Sequence, residues 1–349
     1  MRFTLPKTLG VLAPVAVALA FAGGSSAVNG VHHATAAGTR VTTGVPRLGA
    51  IIPRRLPPFI VYDVYGNGTG IFLMKPDGSD SHQVGPVLPD GALEPSWSPR
   101  GNRILFQSGC AIWVMNADGS HPRVVVPGTG CVSEGLEHPH WSPDGRRIVY
   151  ISTTGLSAFT IHIAHADGSH DHPVPNTEEA DNASFSPDGR YLVFSTPSVY
   201  ELSSHSNVWA PRIYLIRPNG TGLHHPRGWV GEDPSWSPDG TSIVYSCSLY
   251  PNPIILPPPP PGPPGPAPSP PAPEPVPHAV CEASRTHPKP HKIYSAPSGG
   301  SVWTPVWSAD GKKILVTVGG GVALLSPSAG ALVQITHTTG ASWDGDPDW

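Results

Sequence analysis

One phrase recurs along this chain and constrains its fold more than any other feature. It reads PSWSPRGNRILFQS at 95–108, PHWSPDGRRIVYIS at 139–152, ASFSPDGRYLVFST at 183–196, PSWSPDGTSIVYSC at 234–247 and PVWSADGKKILVTV at 305–318. The anchor aromatics are Trp97, Trp141, Phe185, Trp236 and Trp307, with a sixth, Trp349, in the DPDW of 346–349. The first two steps between anchors are 44 residues each, a period expected of propeller blades rather than of helical arrays.

Each part of the phrase has a local reason. Ser-Pro-Asp-Gly is turn chemistry, because proline presets φ and glycine accepts positive φ. The run after it, such as Arg147-Ile148-Val149-Tyr150, is apolar and β-branched, as a buried strand should be. A second strand and turn follow: GIFLMKPDGS at 70–79, AIWVMNADGS at 111–120, TIHIAHADGS at 160–169 and RIYLIRPNGT at 212–221, with degenerate copies KIYSAPSGGS and GVALLSPSAG. Each copy therefore supplies strand, turn, strand, loop, strand, turn, strand. That is a four-stranded antiparallel blade whose anchor aromatic packs between neighbours.

These phrases resemble the TolB-type, WD40-like (PD40) β-propeller repeat, whose signature is PxWSPDGxxIxF, over roughly residues 58–349. The resemblance implies an all-β, six-bladed β-propeller. Ile60-Val61-Tyr62 lacks a preceding WSPDG, and Asp346-Pro347-Asp348-Trp349 lacks a following strand, so the N- and C-terminal segments are expected to pair and complete one blade. TolB itself carries an α/β domain ahead of its propeller and prolyl-oligopeptidase propellers carry a hydrolase domain; neither is expected here.

The remaining segments divide simply. Residues 1–27 have Arg2 and Lys7 before an apolar run from Leu9 to Ala22 and then small residues, the order of a signal peptide. Residues 28–57 form a flexible Gly/Ala/Pro-rich segment, and residues 58–349 form the propeller, interrupted by a proline-rich insertion at about 251–277. Export makes pairing of the four cysteines reasonable. Their positions suggest Cys110–Cys131 and Cys247–Cys281, the second pinching off the insertion. The expected location is secreted, periplasmic or cell-envelope, with no stable membrane span after cleavage and a monomeric state.

The two Gly-containing turns of each blade fall on one side of the ring. The variable connections, including 195–211 and 248–280, decorate the other. A charged fraction of 13% and a formal net charge of -4 give no basic footprint for nucleic acid. No HExxH, phosphate-binding GxxxxGK or CxxC motif is present, and no GxSxG outside the leader. Three residues before the anchors stand Glu94, His138, Asn182, Asp233, Thr304 and Asp346, expected at the channel mouth on the decorated face. They are the candidate ligand-binding residues. No catalytic residue and no cofactor is assigned, with a divalent cation at the channel mouth as the alternative.

Histidines His162, His165, His170 and His172, the pair His224-His225, and His138 with His140 offer imidazoles for a metal or simply a polar surface. Tyr200, Trp209, Trp229, Tyr250 and Trp303 offer stacking surfaces for a sugar or a protein. The expected function is a non-enzymatic binding or scaffold protein engaging a protein or a cell-envelope glycan. The alternatives are a metal-assisted lyase, as implied by likeness to oligogalacturonate and streptogramin lyases, and a TolB-like envelope-organising protein.

Overall fold

The computed structural model describes residues 59–66, 69–128, 135–154, 158–203, 206–248, 278–284, 289–297, 300–336 and 343–349. The predicted signal peptide, the 28–57 segment, the proline-rich insertion, Cys131 and Tyr250 lie outside the described residues.

The described strands form six antiparallel sheets. From the innermost strand outward, blade 2 is Leu93–Trp97, Arg103–Ser108, Ala111–Asn116 and Arg123–Val126; blade 3 is Leu136–Trp141, Arg147–Thr154, Ala158–His165 and His172–Pro173. Blade 6 is Val302–Trp307, Ile314–Val318, Gly321–Ser326 and Ala331–Gln334. Blade 1 is built from both ends: Trp343–Asp348 lies innermost, against Ile60–Tyr65, Gly70–Met74 and His82–Val84. Val61 stands opposite Asp348 and Tyr65 opposite Trp343, so the expected closure of the ring is observed.

The second strand of every blade is apolar at consecutive positions because neighbouring blades cover both of its faces. Ile104, Leu105 and Phe106 are fully buried, as are Ile243 and Val244. Each anchor aromatic packs against the preceding blade: Trp141 against Leu105 and Ile112, Trp236 against Val193 and Ile213, Trp307 against Val244 and Val280. Trp349 does the same for blade 1, against Leu315 and Val322. Burial of side chains of this size contributes on the order of 1.5–3 kcal/mol each. Repeated around the ring, that is what binds blade to blade.

Blade 4 departs from four strands. Its sheet holds three, Asp181–Phe185, Leu192–Ser203 and Ser206–Ile216, and its outer edge meets isolated bridges from Leu215 to His224 and from Arg212 to Val230 in place of a fourth strand. Pro218 and Pro226 lack N–H groups, and Gly220, Gly222 and Gly228 take positive φ, so this stretch cannot run as a regular strand. Trp229, offered by the sequence as a surface aromatic, is fully buried and stacks on Tyr245 at 6.3 Å. The predicted 195–211 extension is a β-hairpin: its two strands continue the blade outward, with Tyr200 opposite Trp209 and Ser203 opposite Ser206.

Blade 5 corrects a second expectation. Its strands are Gly231–Trp236, Ser242–Ser248, His278–Ser284 and His291–Ser295. The HKIYS segment, expected as the third strand, is thus the outermost, and Cys281 sits within the third strand, His278–Ser284. Cys247 and Cys281 are disulfide-bonded across these neighbouring strands, with Cα atoms 5.7 Å apart. Cys110 is also disulfide-bonded.

Candidate functional site

The six candidate residues share one backbone device. In every innermost strand the pairing register shifts at the position they occupy, for example between Leu93 and Ser96 and between Glu137 and His140. Glu94, His138, Asn182, Asp233, Thr304 and Asp346 all take positive φ, from 28° to 52°. Proline follows five of them, and a residue without an N–H fits the unpaired position of a bulge. Positive φ suits Asn and Asp but strains a β-branched residue such as Thr304. The bulges turn these side chains from the blade into the central channel.

All six line one cavity of about 300 Å³. Its far wall is the anchor aromatics and the prolines of the SPDG turns, including Trp97, Trp236, Pro143 and Pro187. Acidic groups at one end and aromatic and proline faces at the other give the channel two chemistries.

The carboxylates also lash blade to blade. Asp63 of blade 1 accepts from the Glu94 N–H at 3.0 Å, Glu94 from the His138 N–H at 2.5 Å, and Asp233 from the Thr304 N–H at 3.2 Å. Asp233 also accepts from the Asn182 amide at 3.1 Å, and Asp348 from the Trp97 N–H at 2.7 Å. His138 lies between two carboxylates, with Nδ1 3.4 Å from Glu94 and Nε2 3.3 Å from Asp181. Burial by itself would lower its pKa, but Glu94, Asp181, Asp346 and Asp233 outweigh that and raise it to about 9. The arrangement therefore favours the imidazolium, with a carboxylate facing each ring nitrogen.

Burial drives the acids the other way. It pushes Asp63 up to about 7, against hydrogen bonds from the Glu94 and Gly345 backbone, and pushes Glu232 to about 7, with Asp233 and Asp181 adding repulsion. Asp346 stands well above the usual carboxylate range for the same reason, with Asp63 and Glu94 nearby. Sequence reasoning missed Asp63, Glu137, Asp181 and Glu232. The last three stand four residues before an anchor, adjacent to the candidates, and that shared spacing was the signal available. Asp63 had none, since it comes from a second strand. Gly345 is explained by it: a Cβ there would lie 2.7 Å from the Asp63 carboxylate.

These shifts fix the sign of a pH dependence. Asp63 and Glu232 hold protons more tightly folded than unfolded, so their contribution is lost as pH rises from about 4 to about 7. The contribution of His138 is present below pH 6.5 and lost as pH rises through about 9. Turn aspartates such as Asp77, held low by the Ser79 hydroxyl, lose theirs only below about pH 4. The melting temperature should therefore fall by several degrees between about pH 5 and about pH 9. A melt series in which it stays level or rises would contradict this arrangement.

The other histidines do not gather. His162 meets Asp171 at 3.0 Å, the His165 and His170 rings lie 4.3 Å apart, and His225 Nδ1 bonds the Ile213 carbonyl at 2.9 Å. Among the described residues, no three His, Cys, Asp or Glu side chains stand together as a metal-holding group. Trp303 is partly exposed, at 36%, on the innermost strand of blade 6.

No family model matches the chain, and no curated protein is detectably similar to it in sequence. Solved structures are similar in fold. The putative TolB of Agrobacterium tumefaciens superposes with a TM-score of 0.54 at 15% identity, covering 80% of this chain and 88% of that one. TolB of Acinetobacter baumannii gives 0.60 at 16% identity, covering 83% of this chain and 66% of its own length. An oligogalacturonate lyase of Vibrio parahaemolyticus gives 0.51 at 9% identity, covering 79% and 74%. At these identities what is shared is the fold, a six-bladed β-propeller.

Proposed function

We propose that this protein is an exported, non-enzymatic propeller that binds a partner through its decorated face, an envelope-associated scaffold in the manner its TolB-type fold suggests. The observation that carries this reading is the convergence of six bulged side chains on one channel mouth. Carboxyl groups of Glu94, Asp233 and Asp346 there, with Asp63, Glu137, Asp181 and Glu232 around them, outnumber the single imidazole of His138, and a bound cation would favour the charged forms of those that burial raises. Such a mouth suits a positively charged or donor-rich group, and the aromatic and proline wall beyond it suits an apolar body. A basic protein segment combines both; an amine-bearing envelope glycan is the other partner of that chemistry. The disulfide between Cys247 and Cys281 suits an oxidising, extracytoplasmic location. Among the described residues, no helix is long and apolar enough to cross a membrane.

One observation weighs against the lyase alternative. A histidine serving as base or metal ligand needs a free ring nitrogen, and both nitrogens of His138 face carboxylates.

Exchanging Asp233→Asn and Asp346→Asn together removes two carboxyl groups yet keeps an acceptor oxygen for the Thr304 N–H, and the new amide NH2 faces Asn182, whose own amide can turn to present its oxygen. Affinity capture from envelope extracts should retain a partner with the original protein and lose it with the double variant, while the two melt within about 2 °C of each other, the effect of less than 1 kcal/mol. Turnover of a polyuronide by the metal-loaded protein, abolished in His138→Ala, would replace this reading with the lyase.

A further inference from the structure

The repeats provide an internal comparison on the opposite, turn-bearing face. In four copies the serine after the anchor donates to an aspartate two residues on: Ser142 to Asp144, Ser186 to Asp188, Ser237 to Asp239 and Ser308 to Asp310, all at 2.6–2.7 Å. That aspartate also accepts the backbone N–H two residues further along, at 3.0–3.1 Å. Blade 2 is the exception, with Arg100 in place of the acid. Its turn still closes, with the Gly101 N–H donating to the Ser98 carbonyl at 2.8 Å and the Arg103 N–H to Ser98 Oγ at 3.0 Å. The serine hydroxyl now donates to Asn102 Oδ1 at 3.1 Å. Asn102 has taken over the aspartate's hydrogen bond, which releases position 100 from any role in the turn.

The release changes the charge of the cleft between the turns of blades 2 and 3. This cleft, about 210 Å³, is lined by Arg100, Arg103 and Arg146 together with Asn102, Trp141 and Asp144. Three guanidinium groups and one carboxylate leave two positive charges. Among the described residues, no carboxylate forms an ion pair with any of the three arginines, and all three are exposed. Two of the corresponding bases elsewhere are engaged: Arg147 lies over the Phe185 ring at 5.0 Å, and Lys312 pairs with Asp310 at 3.5 Å. An acid at position 100 would reduce the surplus to zero.

We propose that the blade 2–3 cleft is a binding site for a tetrahedral dianion, such as the phosphoryl group of a phosphomonoester. Guanidinium forks match its oxygens in pairs, and two surplus positive charges match its two negative ones. This site lies at the other end of the innermost strands from the channel mouth, with Pro99 and Trp141 shared between its wall and that of the channel cavity.

Calorimetric titration of the full chain with inorganic phosphate, and separately with a hexose phosphate at constant ionic strength, tests it. Saturable one-site binding is expected. Arg100→Asp, which restores the residue of the four sister turns and so preserves the fold, should weaken it about tenfold or more, the effect of losing a charge-assisted bond. Arg100→Gln should weaken it without adding a carboxylate, and Arg190→Ala at the next junction should leave it unchanged. Tighter binding of the hexose phosphate would identify the ligand as a phosphoryl group carried on a larger molecule, and equal binding a free anion. No saturable binding, full affinity in Arg100→Asp, or equal weakening by Arg190→Ala would overturn the site.

Discussion

Deleting residues 343–349 should leave a chain that melts more than about 10 °C lower, or no longer melts cooperatively. Trp349 is buried against Ile60, Tyr62, Met74, Leu315 and Val322, and loss of a buried aromatic of this kind costs about 3–5 kcal/mol. The same deletion removes the strand pairing from Val61–Asp348 to Tyr65–Trp343, the Asp348 acceptor for the Trp97 N–H, and the bond from the Asp344 N–H to the Gly320 carbonyl. It also leaves Ile60–Tyr65 as an exposed, apolar edge. Against a typical total stability of about 5–15 kcal/mol, this is most of what holds the ring shut. Circular dichroism melts of the truncated chain and of Trp349→Ala give a graded measure. A truncated chain that melts like the original would show that the C-terminal strand does not close the propeller.

Replacing Cys247 and Cys281 together by alanine should cost about 4 kcal/mol. The bond spans 34 residues, and the chain-entropy relation for a loop of that length gives this magnitude. Both cysteines belong to the apolar cluster of Trp229, Trp236 and Tyr245, so alanine suits the site better than serine, whose hydroxyl would be buried. Because Cys110 is disulfide-bonded too, reduction of the unaltered protein would report on more than one bond, and the double variant isolates this one. Its melting temperature should fall by roughly 10 °C, and an unchanged value would show that the strands on either side of the insertion hold their register without it.

Much of this fold was legible because its information is local. In the phrase PHWSPDGRRIVY, Ser142 and Asp144 close the turn with hydrogen bonds a few residues apart, Gly145 supplies the positive φ, and Ile148-Val149-Tyr150 supplies a strand buried on both faces. Repetition then multiplied a local pattern into a ring. The channel mouth was legible for the same reason: a residue three places before each anchor falls at the same depth in every blade, and the proline after it marks the bulge. Where repetition failed, reading failed with it. The fourth edge of blade 4 dissolves into bridges around Trp229, and in blade 5 the third strand is HAVCEAS, which carries no trace of the repeat.

What the sequence determined by itself is therefore the period, the turn chemistry, the blade count and the positions that face the channel, all consequences of bonds and burial within about forty residues of chain. What only the tertiary structure decided is how the charges at those positions act on one another. Asp63 meets the Glu94 backbone, and Asp181 meets His138, because the ring brings separate blades together. Loss of water in that enclosed mouth then pushes the acids towards their neutral forms, and the surrounding carboxylates hold His138 towards its cation against the same effect. Electrostatic energy depends on distance through space and on the loss of water, and neither can be counted along a chain.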